Sequence, residues 1–248
     1  ERLQAFMAAV RVVYASTMSP EGLEYRLKHG LLDQDEQMAL LVQRVSGQMY
    51  DNLFLPHAAG VGFSFNPYVW SEDIDPKSGF LRLVFGLGTR AVERTGDDYT
   101  RLVALNAPEK NPESSPGEAR QFCQRRVDVL DLNDNSLTTK PFEEVIKKLP
   151  QDLLSKFAAC DETALENMRP MKRDNEGAWR PAFDHILLET SFATDMRRML
   201  GVLQAAYQNP VDIEFTANFM PNGELRINLV QCRPFQVKIH GEGDRVRF

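Results

Sequence analysis

Residues 211–234 read VDIEFTANFMPNGELRINLVQCRP. Two apolar runs flank Asn222-Gly223, a dipeptide that tolerates the positive φ angles of a tight hairpin turn. A two-residue loop there pairs Pro221 with Glu224. Counted outward, Met220 faces Leu225, Asn218 faces Ile227, Thr216 faces Leu229, Glu214 faces Gln231 and Asp212 faces Arg233. Strand side chains return to one face every second residue. Asp212, Glu214, Gln231 and Arg233 therefore share a face at the mouth of the hairpin. Directly opposed Cβ atoms lie about 4.5–5.5 Å apart, so Glu214 and Gln231 can share one ligand. A carboxylate and an amide carbonyl are hard oxygen donors that suit Mg²⁺, an ion held by few side chains plus phosphate and water oxygens. Arg233 can clamp a phosphate bidentately. The competing reading is a solvated sheet end with a plain Asp212–Arg233 ion pair. A four-residue loop keeps this register, whereas an odd loop or a bulge shifts it.

The rest of the chain frames this hairpin. Its 248 residues are 43% hydrophobic and 26% charged, the composition of an ordinary globular protein with a sizeable core. A net charge of −6 argues against nucleic acid or an anionic membrane surface as partner. Cys123, Cys160 and Cys232 are odd in number and make neither metal-ligand spacing nor a disulfide framework, so a cytoplasmic setting is expected. No apolar run approaches the ~20 residues of a membrane span, and no signal peptide is evident. The chain opens at Glu1 rather than Met and reads as a piece of a longer protein.

Periodicity places a helix over 1–15, with Leu3, Phe6, Met7, Val10, Val13 and Tyr14 at spacings of three and four. A second helix is capped by Ser19, opens with Pro20 and ends before Gly30. ALLVQRV (39–45), GVGFSF (60–65), FLRLVF (80–85) and RRVDVLDL (125–132) read as strands. Residues 106–119 and 167–182 read as loops, 141–166 as two short helices broken near Pro150, and 185–207 as one helix. The pattern is α+β. It divides into an entry and strand region at 1–105, a linker and insert at 106–184, and a helix with the hairpin and tail at 185–248. Arg90 and Arg94 read as solvated. His29, His57, His185 and His240 show no evident Ser, Cys or Asp partner.

Four ordered stretches, LVQRVSG (41–47), GVGFSFNP (60–67), VFGLGTRAV (84–92) and DIEFTANFMPNGELRINLVQCRP (212–234), resemble the ATP-binding domain of the phosphoenolpyruvate synthase and pyruvate phosphate dikinase family. The resemblance implies an ATP-grasp-like antiparallel or mixed sheet with flanking helices, present as its later part. It assigns Mg²⁺ binding to Glu214 and Gln231 and ATP-phosphate binding to Arg233, as the catalytic residue. Backbone recognition of adenine falls to Gln43, Arg44 and Val45, as a hinge strand. Many relatives carry Glu after Gly-Leu-Gly, with a role near the ribose; Thr89 stands at that position here. In a complete relative, ATP phosphorylates a histidine on a separate domain. The phosphohistidine then converts pyruvate to phosphoenolpyruvate, with AMP and phosphate as the other products. The implied partners are thus ATP, pyruvate or another acceptor, and that phosphohistidine domain. The chain alone is expected to be inactive. A dikinase for another acceptor, such as a glucan or an antibiotic, and a degenerate nucleotide-binding or interaction module are the alternatives.

Overall fold

A computed structural model describes residues 2–28, 30–35, 37–92, 98–160 and 179–234. The chain divides into two units, Glu1–Val45 and Ser46–Phe248.

In the first unit, helix Arg2–Ser16 precedes helix Pro20–Lys28. The second starts where Ser19 Oγ accepts the Gly22 N–H at 3.1 Å, satisfying one of the orphan donors of a helix N-terminus. Gly30 follows its end at φ +66°, a left-handed stop. The strand expected at 39–45 is absent. These residues carry no regular structure, and Leu41 and Val42 are exposed. An apolar run makes a strand only where a neighbour completes its hydrogen bonds.

Within the second unit the strands are β1 (Gln48–Tyr50), β2 (Leu53–Leu55), β3 (Ala58–Phe63), β4 (Phe80–Val84), β5 (Arg101–Ala104), β6 (Arg126–Asp131), β7 (Ser136–Pro141), β8 (Ala158–Cys160), β9 (Trp179–Pro181), β10 (Val211–Phe219) and β11 (Leu225–Pro234). The site rests on a five-stranded antiparallel sheet of order β11-β10-β3-β4-β5. A four-stranded sheet, β1-β2-β6-β7, and the pair β8-β9 accompany it. The observed class is α+β.

Alternation along β10 explains which face holds the core. Val211, Ile213, Phe215, Ala217 and Phe219 are buried in one cluster with Leu81 and Leu83 of β4. Helix Phe192–Tyr207 contributes Phe192, Met196 and Leu200 to the same cluster, at the four-residue spacing that keeps side chains on one helical face. Each such Phe, Leu or Met contributes about 1.5–3 kcal/mol on burial. The intervening residues of β10 (Asp212, Glu214, Thr216 and Asn218) face the other way. Gly60 of β3 permits close strand approach: a Cβ there would meet the Arg82 carbonyl oxygen at 2.1 Å.

Other expectations need revision. The helix read at 185–207 is two helices, Asp184–Leu188 and Phe192–Tyr207. The break falls at Thr190, whose hydroxyl donates to the Ile186 carbonyl and accepts the Phe192 N–H, a side-chain competition with the backbone ladder. Ser115 caps a short helix, Pro116–Gln121, that begins inside the stretch read as loop. β1, β2, β5, β7, β8 and β9 were not anticipated. β7 follows a polar turn with Asn135 at φ +50°. Of the loop read at 167–182, residues 167–178 lie outside the described residues, as do His29, Arg94 and His240.

Candidate functional site

The hairpin joining β10 and β11 departs from the expected turn at its tip. Met220 accepts the Gly223 N–H at 2.8 Å and donates to the Glu224 carbonyl at 2.7 Å. Only Gly223, at φ +84°, is left-handed there. This is a three-residue loop in which Pro221 sets the first corner of the turn. The odd loop shifts the inner pairs by one residue: Phe219 faces Leu225, Asn218 faces Arg226 and Thr216 faces Asn228. A β-bulge then places Val230 as an extra residue between the pairs Phe215–Leu229 and Glu214–Gln231. The shift is cancelled, and the mouth shows Glu214 opposite Gln231 and Asp212 opposite Arg233. Without the bulge, Gln231 would face Ile213 on the core side.

Inner and outer polar groups on this face differ in how they are satisfied. Towards the tip, Asn218 and Asn228 each donate to Ser46 Oγ, at 2.9 and 2.8 Å. At the mouth, the side chains of Glu214 and Gln231 have no hydrogen-bond partner among the described residues, and Glu214 is half-buried. Gln231 is exposed, and the oxygens of the pair have acceptor capacity left for a cation. No group of three or more His, Cys, Asp and Glu that could hold a metal occurs among the described residues. A carboxylate and an amide carbonyl are hard oxygen donors whose chemistry suits an ion that takes its remaining ligands from phosphate and water, as Mg²⁺ does.

Arg233 does make the ion pair of the competing reading. Its Nε donates to both oxygens of Asp212, at 2.7 and 2.9 Å. Asp212 is nearly buried while the Arg233 side chain is 61% exposed. Because only Nε is engaged, both Nη groups remain available, and the carboxylate aims them. The hydrogen bonds that Arg233 donates to Asp212 outweigh burial and, with the charges of Asp212 and Glu214, hold the Arg233 guanidinium above its ordinary range. The ion pair and the phosphate role are thus compatible.

The Gly86-Leu87-Gly88 segment is a packing turn. Gly86 has φ +89°, and a Cβ there would meet Val127 Cγ1 at 2.4 Å. Beyond it, Arg90 is not solvated. Its Nε bonds Asp128 at 3.0 Å and its Nη1 bonds Asp98 at 2.8 Å, with the Arg90 side chain only 11% exposed. Thr89 and Thr139 donate to Asp128, each at 2.6 Å. Burial pushes the Asp128 carboxyl up, but those two hydroxyls and Arg90 outweigh it and hold it below the ordinary carboxylate range. Thr89 is therefore committed to a structural network. Periodicity in a short segment cannot reveal this, because Asp128 arrives from another sheet.

His57 has partners that the sequence did not show. Its ring is buried, its Nδ1 accepts the Phe219 N–H at 2.9 Å, and its Nε2 lies 2.5 Å from the Tyr50 hydroxyl. Burial, and then the charge of Lys156, bring its pKa down to about 4. Burial and then Asp152 push the Tyr50 hydroxyl up to about 12. This is a neutral anchor for the hairpin, with no proton to exchange near neutrality.

Gln43, Arg44 and Val45 lie in the irregular end of the first unit, all three exposed. Glu214, Gln231 and Arg233 meet at one sheet end of the second. No helix among the described residues is long and apolar enough to cross a membrane. Residues 1–247 match the family model described as pyruvate phosphate dikinase, AMP/ATP-binding domain. No curated protein matches the chain.

Proposed function

Since this chain belongs to the family of the pyruvate phosphate dikinase AMP/ATP-binding domain, we propose that it supplies the metal and phosphate wall of an ATP site in a phosphoenolpyruvate-synthase-like phosphotransferase. One observation carries the reading: paired oxygen donors without protein partners, Glu214 and Gln231, lie beside an arginine whose Nη groups are aimed by Asp212. Glu214 and Gln231 would hold Mg²⁺, which when bound neutralises charge on phosphate oxygens. Arg233 binds the phosphates and stabilises charge that grows on the transferring group, so its contribution is positioning and fixed electrostatics. Gln43, Arg44 and Val45 supply backbone groups to the adenine edge. Thr89, committed to Asp128, contributes no acid to the ribose.

In this reading the phosphoryl group passes through a phosphohistidine domain to pyruvate or another acceptor, and the 248 residues alone do not turn over. The test is calorimetric titration of ATP, with Mg²⁺ and with EDTA, into the chain and into Glu214→Ala. ATP binding that Mg²⁺ strengthens, with the strengthening lost in the variant, is the expected result. Equal ATP affinity with and without Mg²⁺ removes the metal assignment.

A further inference from the structure

Most buried or half-buried arginines here are spoken for. Arg26 donates to the carbonyls of Leu31 and Gln34, Arg90 binds Asp98 and Asp128, and Arg101 donates to the carbonyls of Leu102 and Pro108. Arg82, half-buried in the middle of β4, and Arg180 have no hydrogen bond or ion pair among the described residues, and of the two Arg82 is the one held in place. Its guanidinium instead rests on aromatic faces, 5.5 Å from the Phe63 ring centroid and 6.0 Å from that of Phe80. Those two rings stack on each other at 4.9 Å. The charge is thereby positioned, while five N–H donors stay unused. A half-buried guanidinium with no acceptor is costly unless something else supplies one.

Sheet register places Arg82 on the face of the candidate site. Glu214 faces Val61, and Val61 faces Arg82, so Gln231, Glu214, Val61 and Arg82 form one row across four strands. With neighbouring strands about 4.8 Å apart, the Arg82 and Glu214 backbones lie roughly two strand spacings from each other. The aromatic contacts tilt Arg82 towards the next row, where Phe63 faces Asp212 and Asp212 faces Arg233. Arg82 and Arg233 thus lie on one face of the sheet, with Phe63 and Asp212 on the two strands between them. Arg82 also borders a cavity of about 280 Å³ with Tyr68, Tyr99, Thr100, Leu102 and Phe122. The other charges on that cavity are the mutually bonded Arg90 and Asp98, and Glu113.

We infer that Arg82 is a second phosphate-binding arginine of this site, taking an oxygen of the nucleotide's polyphosphate chain from the side opposite Arg233. The inference rests on the ATP reading for the identity of the ligand, but the geometry calls for a polyanion whether or not a metal accompanies it. The probe is therefore sodium tripolyphosphate, titrated calorimetrically into the full chain with Mg²⁺ and with EDTA. Arg82→Met keeps an apolar stem on Phe63 and Phe80 and removes the charge. It should bind tripolyphosphate about tenfold more weakly, or worse, under both conditions, the loss expected for one charge-assisted contact. Arg82→Lys should recover part of that loss. If the Met variant melts well below the parent, Arg82→Gln gives the same reading. Unchanged affinity in the neutral variants overturns the proposal and leaves the metal assignment standing; a parent chain that binds tripolyphosphate under neither condition overturns the proposal together with the phosphate role of Arg233. Tripolyphosphate binding that Mg²⁺ does not affect, yet weakened in Arg82→Met, removes the metal assignment and leaves Arg82 in place.

Discussion

Acidification from pH 6.5 to 4 is expected to destabilise the second unit by about 3 kcal/mol through His57 alone. The ring is 1% exposed. Because Nδ1 accepts the Phe219 N–H, the ring proton must sit on Nε2, facing the Tyr50 hydroxyl. A second proton would have to enter at Nδ1, against a backbone donor and without water. Burial and Lys156 accordingly bring the pKa from 6.5 to about 4. The folded value lies below the unfolded one, so the unfolded chain takes up the extra proton first. The stabilisation is complete above pH 6.5 and drains away as pH falls towards 4. At about 1.4 kcal/mol per pH unit, the gap gives the figure of about 3 kcal/mol. Urea denaturation of the chain and of His57→Asn at several pH values from 7 to 4 measures it. Asn removes the titration and can still accept from Phe219. Carboxylates held low in the fold lose their contribution nearer pH 4 and below, in both proteins alike. The parent should lose about 3 kcal/mol more than the variant over the window. Parallel stability curves would refute the reasoning.

Other consequences are as direct. Gly60→Ala drives a Cβ into the Arg82 carbonyl oxygen and should cost about 1–3 kcal/mol, read as a lower urea midpoint at unchanged slope. Asp128→Ala strips Arg90 of one buried partner and two threonine hydroxyls of their acceptor; a loss of about 3 kcal/mol or more is expected in the same assay. Gly223→Ala, at φ +84° and with open space around it, should cost about 1 kcal/mol from backbone conformation alone. Deleting Val230 removes the extra residue of the bulge, so Gln231 follows Leu229 directly and still faces Glu214; hairpin circular dichroism and any Mg²⁺-dependent ATP binding should both be kept.

Much of the architecture was legible where local signals agreed. Ser19-Pro20 opens a helix, the apolar alternation of β10 faces a core, and Asn-Pro at 209–210 delivers the chain into the hairpin. The pairing of Glu214 with Gln231 was legible too, although by a route that differs from the one taken. Counting from a two-residue turn and the actual path of odd loop plus bulge arrive at the same pairs at the mouth. What could not be read depended on distant partners. Arg90 looks solvated until Asp128 arrives from β6, and His57 looks like a loop residue until Phe219 supplies a backbone donor. ALLVQRV has the composition of a strand but no partner strand. Arg82 was passed over because nothing local marks it: its significance lies in what two neighbouring strands fail to give it.

The bulge at Val230 also makes the two ends of the hairpin independent in one respect and bound in another. Glu214 and Gln231 meet because the odd loop and the bulge offset each other. Residues added within the loop itself leave the paired strands, and so the mouth, as they are. A residue added or removed in one strand alone, between the tip and the bulge, shifts the register and requires a matching change at the bulge. Length variation should therefore gather in the loop, and a library that lengthens one strand alone would turn the acid and the amide to opposite faces of the sheet.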